Sequence, residues 1–362
     1  MTMVHKKKIK IVHYIQDLEP GGAERMLVDL IRFLPPDRFE QILATRTDRG
    51  ALFKIFPGDR ARHVRVRSVL SLYRMLRREK PDIFHSHLWR ADLAGIPAAR
   101  AAGIPHCFST RHNLNYFSGW KCPLILWDAW IMRGAEAVVA NSEATRRHCE
   151  SFSLYRGVRF RVISNGIDLD VYTPAGSEGA RSGPGELLTV ASLTEQKGHL
   201  DFLDVLARLE YREIRWHCVG SGPLEEKIRR KAGRLGLEQR VVFHGSRTDP
   251  VPFYRDAGLF VLPSRWEGFG LVVVEAMAAG VPVFASRVDG IAEILEDGKT
   301  GVLCNVRDPE SAARKLQSLL EDAPFRERIR RAARNASKRY SILRTAAAYA
   351  QMYEESLGRR EA

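Results

Sequence analysis

The chain contains no run approaching the roughly 20 consecutive apolar residues that a membrane-spanning helix requires, so a transmembrane protein is not expected. Its opening, MTMVHKKKIKIVHYI, sets basic residues ahead of an apolar stretch, but no small-residue cleavage site follows, and the stretch reads as a first strand. Cysteine is scarce. Cys107, Cys122, Cys149, Cys218 and Cys304 are odd in number and lack the paired spacing of zinc or redox motifs, so reduced thiols in a cytoplasmic protein are expected. Nothing matches G-x-G-x-x-G: the nearest candidate, Gly220-Ser221-Gly222, lacks the third glycine, which disfavours a nicotinamide enzyme. No repeat of fixed short period is present either.

What the chain does have is length and positive charge. At 362 residues it exceeds the size at which a single hydrophobic core stops growing, so two domains are expected. A formal charge of +14 implies attraction to polyanions, whether nucleic acid, anionic lipid headgroups or a phosphorylated substrate. The bias is local, with eight basic residues between Arg60 and Lys80 against one acid, Glu79. No nucleic-acid partner is expected, because no basic and aromatic single-strand platform or DNA-reading motif accompanies the charge.

Short β-branched runs alternate with helix-period segments throughout, the rhythm of parallel sheets covered by helices on both faces. KIKIVHYI, FEQILAT, PDIFHSH, HCFST, AVVANS and RVISNG are strand candidates in the first half. ELLTVAS, IRWHCVG, RVVFHG, LFVLPS and VPVFAS follow in the second. Between them TPAGSEGARSGPGE carries Gly, Ser and Pro without apolar periodicity, which marks a boundary. The expected fold is therefore α/β, with two doubly wound, Rossmann-like parallel-sheet domains at residues 1–172 and 186–338 joined by a linker at 173–185. Ligands in such sheets bind beyond the carboxyl ends of the strands, so the active site is expected between the domains. Residues 339–362 form a last helix whose Ala346, Tyr349 and Tyr353 share one apolar face, suited to packing back on the first domain.

The segment PSRWEGFGLVVVEAMAAGVPV carries the strongest chemical signal. A strand runs into a turn flanked by Gly268 and Gly270, and a helix starts near Leu271, so backbone N–H groups there can face an anion such as a diphosphate. Glu275, about one turn into the helix, is suited to accept hydrogen bonds from two ribose hydroxyls. Glu267, before the helix, is placed to reach a sugar hydroxyl. Gly21 and Gly22 offer a second glycine turn between a strand and a helix, also suited to phosphate or acceptor.

Glu267 and Glu275, enclosing GFGLVVV, make the chain resemble the retaining glycosyltransferases of the GT-B fold, family four. The resemblance continues in the family's order through GGAER (21–25), STRHN (109–113), ISNGID (163–168), VASLTEQKGH (190–199) and VGSGP (219–223). It implies that Lys197 lies on the donor diphosphate, and that Gly268, Phe269, Gly270 and Leu271 form the donor turn. It further implies that His112 hydrogen-bonds the transferred sugar and that Arg247, within Ser246 to Asp249, lies beside the nucleobase. The family often has an arginine five positions before the lysine, where this chain has Ser192, which leaves more of the phosphate charge to Lys197 and the helix start. His87, with His85, is a candidate acceptor contact.

The resemblance also implies a metal-independent enzyme with no cofactor. Asp168-Leu169-Asp170 matches the D-x-D metal pattern of another glycosyltransferase fold, but no further acid or histidine completes a shell there. The implied reaction moves a hexosyl group from a UDP- or GDP-linked sugar to a glycan or lipid-linked acceptor in cell-surface polysaccharide or glycolipid synthesis. The basic stretch and the aromatic segment YFSGWKCPLILWDAW (116–130) suggest peripheral contact with an anionic membrane at the inner face of the cell, unless Trp127 and Trp130 are core residues. A sugar-nucleotide epimerase or phosphorylase on the same architecture, and a non-catalytic polyanion binder, are the alternatives.

Overall fold

The computed structural model describes residues 7–112, 122–173, 183–211 and 213–358. The chain divides into two compact units, one of residues 1–166 with 342–362 and one of residues 167–341.

The first unit is built on a seven-stranded sheet in the order β3-β2-β1-β4-β5-β6-β7. The strands are β1 (Ile9–Ile15), β2 (Phe39–Thr45), β3 (Ala61–Arg65), β4 (Ile83–His87), β5 (His106–Arg111), β6 (Ala137–Ala140) and β7 (Phe160–Val162). All neighbours pair in parallel, as βαβ connections require. Both faces are covered, which is why β4 is buried at every position although its sequence, IFHSH, is half polar. One face packs Val12, Tyr14 and Phe84 against helices Val69–Glu79, Trp89–Ala101 and Cys122–Arg133. Beneath those helices Arg111 is fully buried and bonded to Asp128 at 2.7 and 2.9 Å, with Asp92 at 3.3 Å.

The opposite face is closed by helices Gly22–Phe33 and Ile342–Ser356. Tyr349 and Tyr353 of the last helix are fully buried, and Tyr353 shares a 2.6 Å hydrogen bond with His85. An Arg38–Glu354 ion pair ties the same helix to the approach to β2.

The second unit carries a six-stranded parallel sheet in the order β10-β9-β8-β11-β12-β13. Its strands are β8 (Glu186–Val190), β9 (Arg215–Val219), β10 (Val241–Gly245), β11 (Leu259–Leu262), β12 (Val283–Ser286) and β13 (Val302–Cys304). Buried Trp216 anchors the core, donating its indole N–H to Thr189 at 2.9 Å while its ring meets Phe202 edge-on.

One expected boundary differs. The short helix Leu169–Tyr172, within the 1–172 expected for the first domain, belongs with the second unit, because buried Tyr172 packs edge-on against Tyr254. Of the expected linker, 174–182 lies outside the described residues, as does 113–121 of the aromatic segment and of STRHN. From Cys122 the aromatic segment is described as part of a helix, Cys122–Arg133, on which Trp127 and Trp130 are exposed rather than core.

Candidate active site

In each sheet the strand order reverses once, between β1 and β4 in the first and between β8 and β11 in the second. Loops leaving the carboxyl ends of two such strands diverge and open a crevice between them, the usual ligand position in open α/β sheets. In the second unit the loop after β8 carries Lys197, and the loop after β11 carries Glu267.

These two side chains meet. Lys197 Nζ lies 2.6 Å from Glu267 Oε1, and the Ser264 hydroxyl donates to the same oxygen at 2.7 Å. Glu267 is only 5% exposed, and the ammonium and the hydroxyl supply hydrogen-bond partners for its buried carboxyl group. Close backbone approach permits the contact: Gly198 adopts φ +65°, and a Cβ there would fall 1.9 Å from the Pro263 carbonyl. The arginine beside this loop, Arg265, is occupied by a bidentate bond to Asp201 at 2.6 and 2.8 Å.

Helix Leu271–Ala278 begins at Gly270, whose φ of +101° turns the chain from the loop into the helix. Residue 275 is buried, and Tyr254 donates its hydroxyl to Glu275 Oε2 at 2.7 Å. That phenol is raised well above its ordinary value, first by burial and then by the Glu275 charge, so it remains a donor. Phe269 turns inward, 4% exposed and edge-on to Tyr340, while Leu271 is also buried. Any contribution of these two to a ligand is therefore through backbone groups, unlike the side-chain roles of Lys197, Glu267 and Glu275. Arg247 is exposed between β10 and helix Val251–Asp256.

In the first unit Gly22 opens helix Gly22–Phe33, and Gly21 is its extended N-cap. The Glu24 carboxylate folds back over Gly21, where a Cβ would lie 2.2 Å from Oε2. Burial, followed by the nearby charges of Asp17 and Glu19, raises the Glu24 carboxyl to about 7.

His87 ends β4 and is fully buried, so the candidate acceptor contact is enclosed in the protein. It shares a 3.3 Å contact with His13 Nδ1 and stacks on His85 with centroids 4.3 Å apart. The residue after it, Leu88, is held at φ +70°, a costly conformation for a side chain of that size, at the switch point of the sheet. His112 follows β5 on the same face, its ring 6.3 Å from that of His87. His112 is partly exposed as a residue, but both of its ring nitrogens are shielded from solvent, and burial lowers it to about 3.

Ligand atoms of His13, His85 and His87 lie within 4.8 Å of one another, a proximity that the sequence reading missed. The geometry nonetheless suits packing more than coordination. Both His85 nitrogens are engaged, with Tyr353 at 2.6 Å and Thr110 at 2.7 Å. The His85 and His87 rings are inclined by only 23°, so their in-plane lone pairs do not converge on one ion. Asp168, of the D-x-D match, serves as the N-cap of helix Leu169–Tyr172, accepting from Asp170 N at 3.2 Å.

Similarity to known proteins decides what this arrangement belongs to. Residues 20–171 match the family model for Glycosyltransferase Family 4, and residues 175–336 match that for Glycosyl transferases group 1. The chain belongs to the group 1 glycosyltransferases. It is 30% identical over 305 residues to the glycogen synthase of Mycobacterium tuberculosis (strain H37Rv), covering 80% of this chain and 73% of that one. It is 26% identical to the lipopolysaccharide core biosynthesis glycosyltransferase LpsE of Rhizobium meliloti, covering 89% and 91%. In fold it is similar to Anabaena Alr3699/HepE, solved in complex with UDP-glucose, with a TM-score of 0.84, 24% identity and coverage of 97% and 99%. The two parallel-sheet units of this glycosyltransferase are thus those of the GT-B fold.

Proposed function

We propose that this glycosyltransferase moves a hexosyl group from a UDP- or GDP-linked sugar to a glycan or lipid-linked acceptor, with retention at the anomeric carbon, in cell-surface polysaccharide or glycolipid synthesis. The observation that carries the reading is the Lys197–Glu267 contact at the switch point beside the start of helix Leu271–Ala278. An ammonium has three N–H groups, and Glu267 engages one, so Lys197 is equipped to bind diphosphate oxygens without leaving its partner. The amides around Gly268, Phe269, Gly270 and Leu271 add the partial positive charge of a helix start. Glu275, oriented by Tyr254, accepts from the ribose, and Arg247 lies toward the base. Gly21, Gly22 and His112 serve the transferred sugar and acceptor in this reading.

In the proposed step the anomeric C–O bond to phosphate breaks as the acceptor oxygen bonds to the same carbon on the same face. The acceptor proton passes to the leaving phosphate, whose charge Lys197 and the helix start stabilise. No metal is needed for that neutralisation, so activity is expected to survive EDTA.

Thermal-shift measurements with UDP-, GDP- and ADP-sugars test the donor. A donor at a hundred times its Kd stabilises the chain by about 2.7 kcal/mol, and the absence of a shift with all three sinks the assignment. Tyr254→Phe gives a finer check. It removes one hydrogen bond, worth about 1 kcal/mol, so KM for the donor should rise about fivefold with kcat nearly unchanged. An unchanged KM would remove Glu275 from donor binding.

A further inference from the structure

Helices Val69–Glu79, Trp89–Ala101 and Cys122–Arg133 lie side by side on one face of the first sheet, leaving an outer surface toward solvent. Among its described residues the acids of these helices are all withdrawn. Asp92 and Asp128 are fully buried on Arg111, and the Glu79 side chain is 11% exposed and paired to Lys10 and Arg62. The basic residues point the other way, with Arg74, Arg77, Arg78, Arg90 and Arg100 all exposed.

Large apolar side chains share this surface. On helix Cys122–Arg133 the inward positions are Ile125, Asp128, Ala129, Ile131 and Met132, whereas Leu126 is 59%, Trp127 47% and Trp130 59% exposed. The two indoles stack with centroids 5.0 Å apart. Val69 and Leu70, at the start of the first helix, are 52% and 53% exposed. Packing within the unit leaves these groups in water, a cost that a partner can remove.

We infer that this face docks on a lipid bilayer carrying anionic headgroups. Indoles and leucines enter the headgroup boundary, where an aromatic ring has both apolar and polar surroundings. The arginines meet phosphate, to which a guanidinium donates bidentately, and no exposed carboxylate on these helices opposes them. Two weak signals of this kind together give stable yet reversible attachment. Charge complementarity selects a bilayer over a second copy of this equally basic chain, and the leucines and valine select it over RNA. The inference does not rest on the donor assignment.

Flotation of the full chain tests it, using vesicles of phosphatidylcholine alone or mixed with phosphatidylglycerol. The wild type should float with the anionic vesicles and bind neutral ones at least about tenfold more weakly. Trp127→Ser with Trp130→Ser, and Arg74→Glu with Arg77→Glu and Arg78→Glu, should each weaken anionic binding by at least about tenfold. Raising salt from about 0.1 to 1 M should weaken the wild type more than the arginine variant, because screening acts on the charges alone. All substituted residues are exposed, and an unchanged melting temperature confirms that the variants fold. No flotation, equal binding to neutral vesicles, or binding that survives both variants overturns the inference. So does RNA binding, or tryptophan-dependent self-association, without vesicle binding.

Discussion

Glu267→Gln should lower turnover roughly a hundred- to a thousandfold while leaving donor affinity within about threefold of the wild type. The substitution preserves shape and removes charge. Glu267 is nearly enclosed, and one carboxylate oxygen is fixed by Lys197 at 2.6 Å and Ser264 at 2.7 Å. A carboxylate so held accepts from a sugar hydroxyl strongly, and its charge counts most when positive charge develops on the sugar ring. An amide in its place still fills the space and still accepts, so ground-state binding is largely kept. Lys197, with a 19% exposed side chain, can turn to water or to phosphate and is not left as a buried charge. Calorimetric donor affinity and steady-state kinetics on one preparation separate the two effects. Equal losses in affinity and turnover would make Glu267 a ground-state contact, and wild-type kinetics would remove it from the site.

The candidate site residues of the two units were legible to different degrees. The turn before Leu271 could be read because a glycine is needed where φ is +101°, and because both glutamates lie within one strand–turn–helix segment. The Lys197–Glu267 contact could not, since 70 residues separate the partners and only the adjacency of β8 and β11 joins them. Tyr254 was missed for the same reason: its bond to Glu275 spans 21 residues and depends on how helix Val251–Asp256 packs. In the first unit, period-two alternation puts His85 and His87 on one face of β4. Which strand supplies His13, and that a C-terminal helix supplies Tyr353, is set by sheet order. The unit boundary fell earlier than composition suggested because Gly/Ser/Pro content marks poor packing, whereas the Tyr172–Tyr254 contact decides membership. Trp127 and Trp130 are ambiguous in sequence, since tryptophan is at home in a core and at an interface alike.

The first unit should lose stability on acidification between about pH 6.5 and 5, and the loss should be set by a contest between histidines and carboxylates. Besides the less buried His63, which is lowered too, four histidines there sit far below their ordinary value, chiefly through burial: His13 at about 4, His112 at about 3, and His85 and His87 well below it. In the unfolded chain each takes up a proton below about pH 6.5, while in the folded unit it does not. The unfolded state therefore binds more protons, and stability falls as pH falls. Two carboxyls work in the opposite direction. Asp92 and Glu24 are both raised to about 7, again chiefly by burial, so the folded unit takes up a proton at each where the unfolded chain does not. Four against two leaves the unfolded chain the net proton binder, by a difference that grows to about two protons near pH 5, so stability falls there by a few kcal/mol per pH unit, on the order of 1 for each proton. Over that window the sum is a large share of the 5–15 kcal/mol typical of a whole domain. The second unit holds one comparable buried histidine, His199 at about 3, so calorimetry should show the first unit's transition moving down further with acid. Glu24→Gln identifies the opposing group. It removes one proton taken up by the folded state, so the variant should gain stability near neutral pH and lose it more steeply on acidification, by on the order of 1 kcal/mol per pH unit. A pH-independent first transition would mean that these histidines are already accessible to protons in the folded protein, and an unchanged slope in Glu24→Gln would place that carboxyl in water.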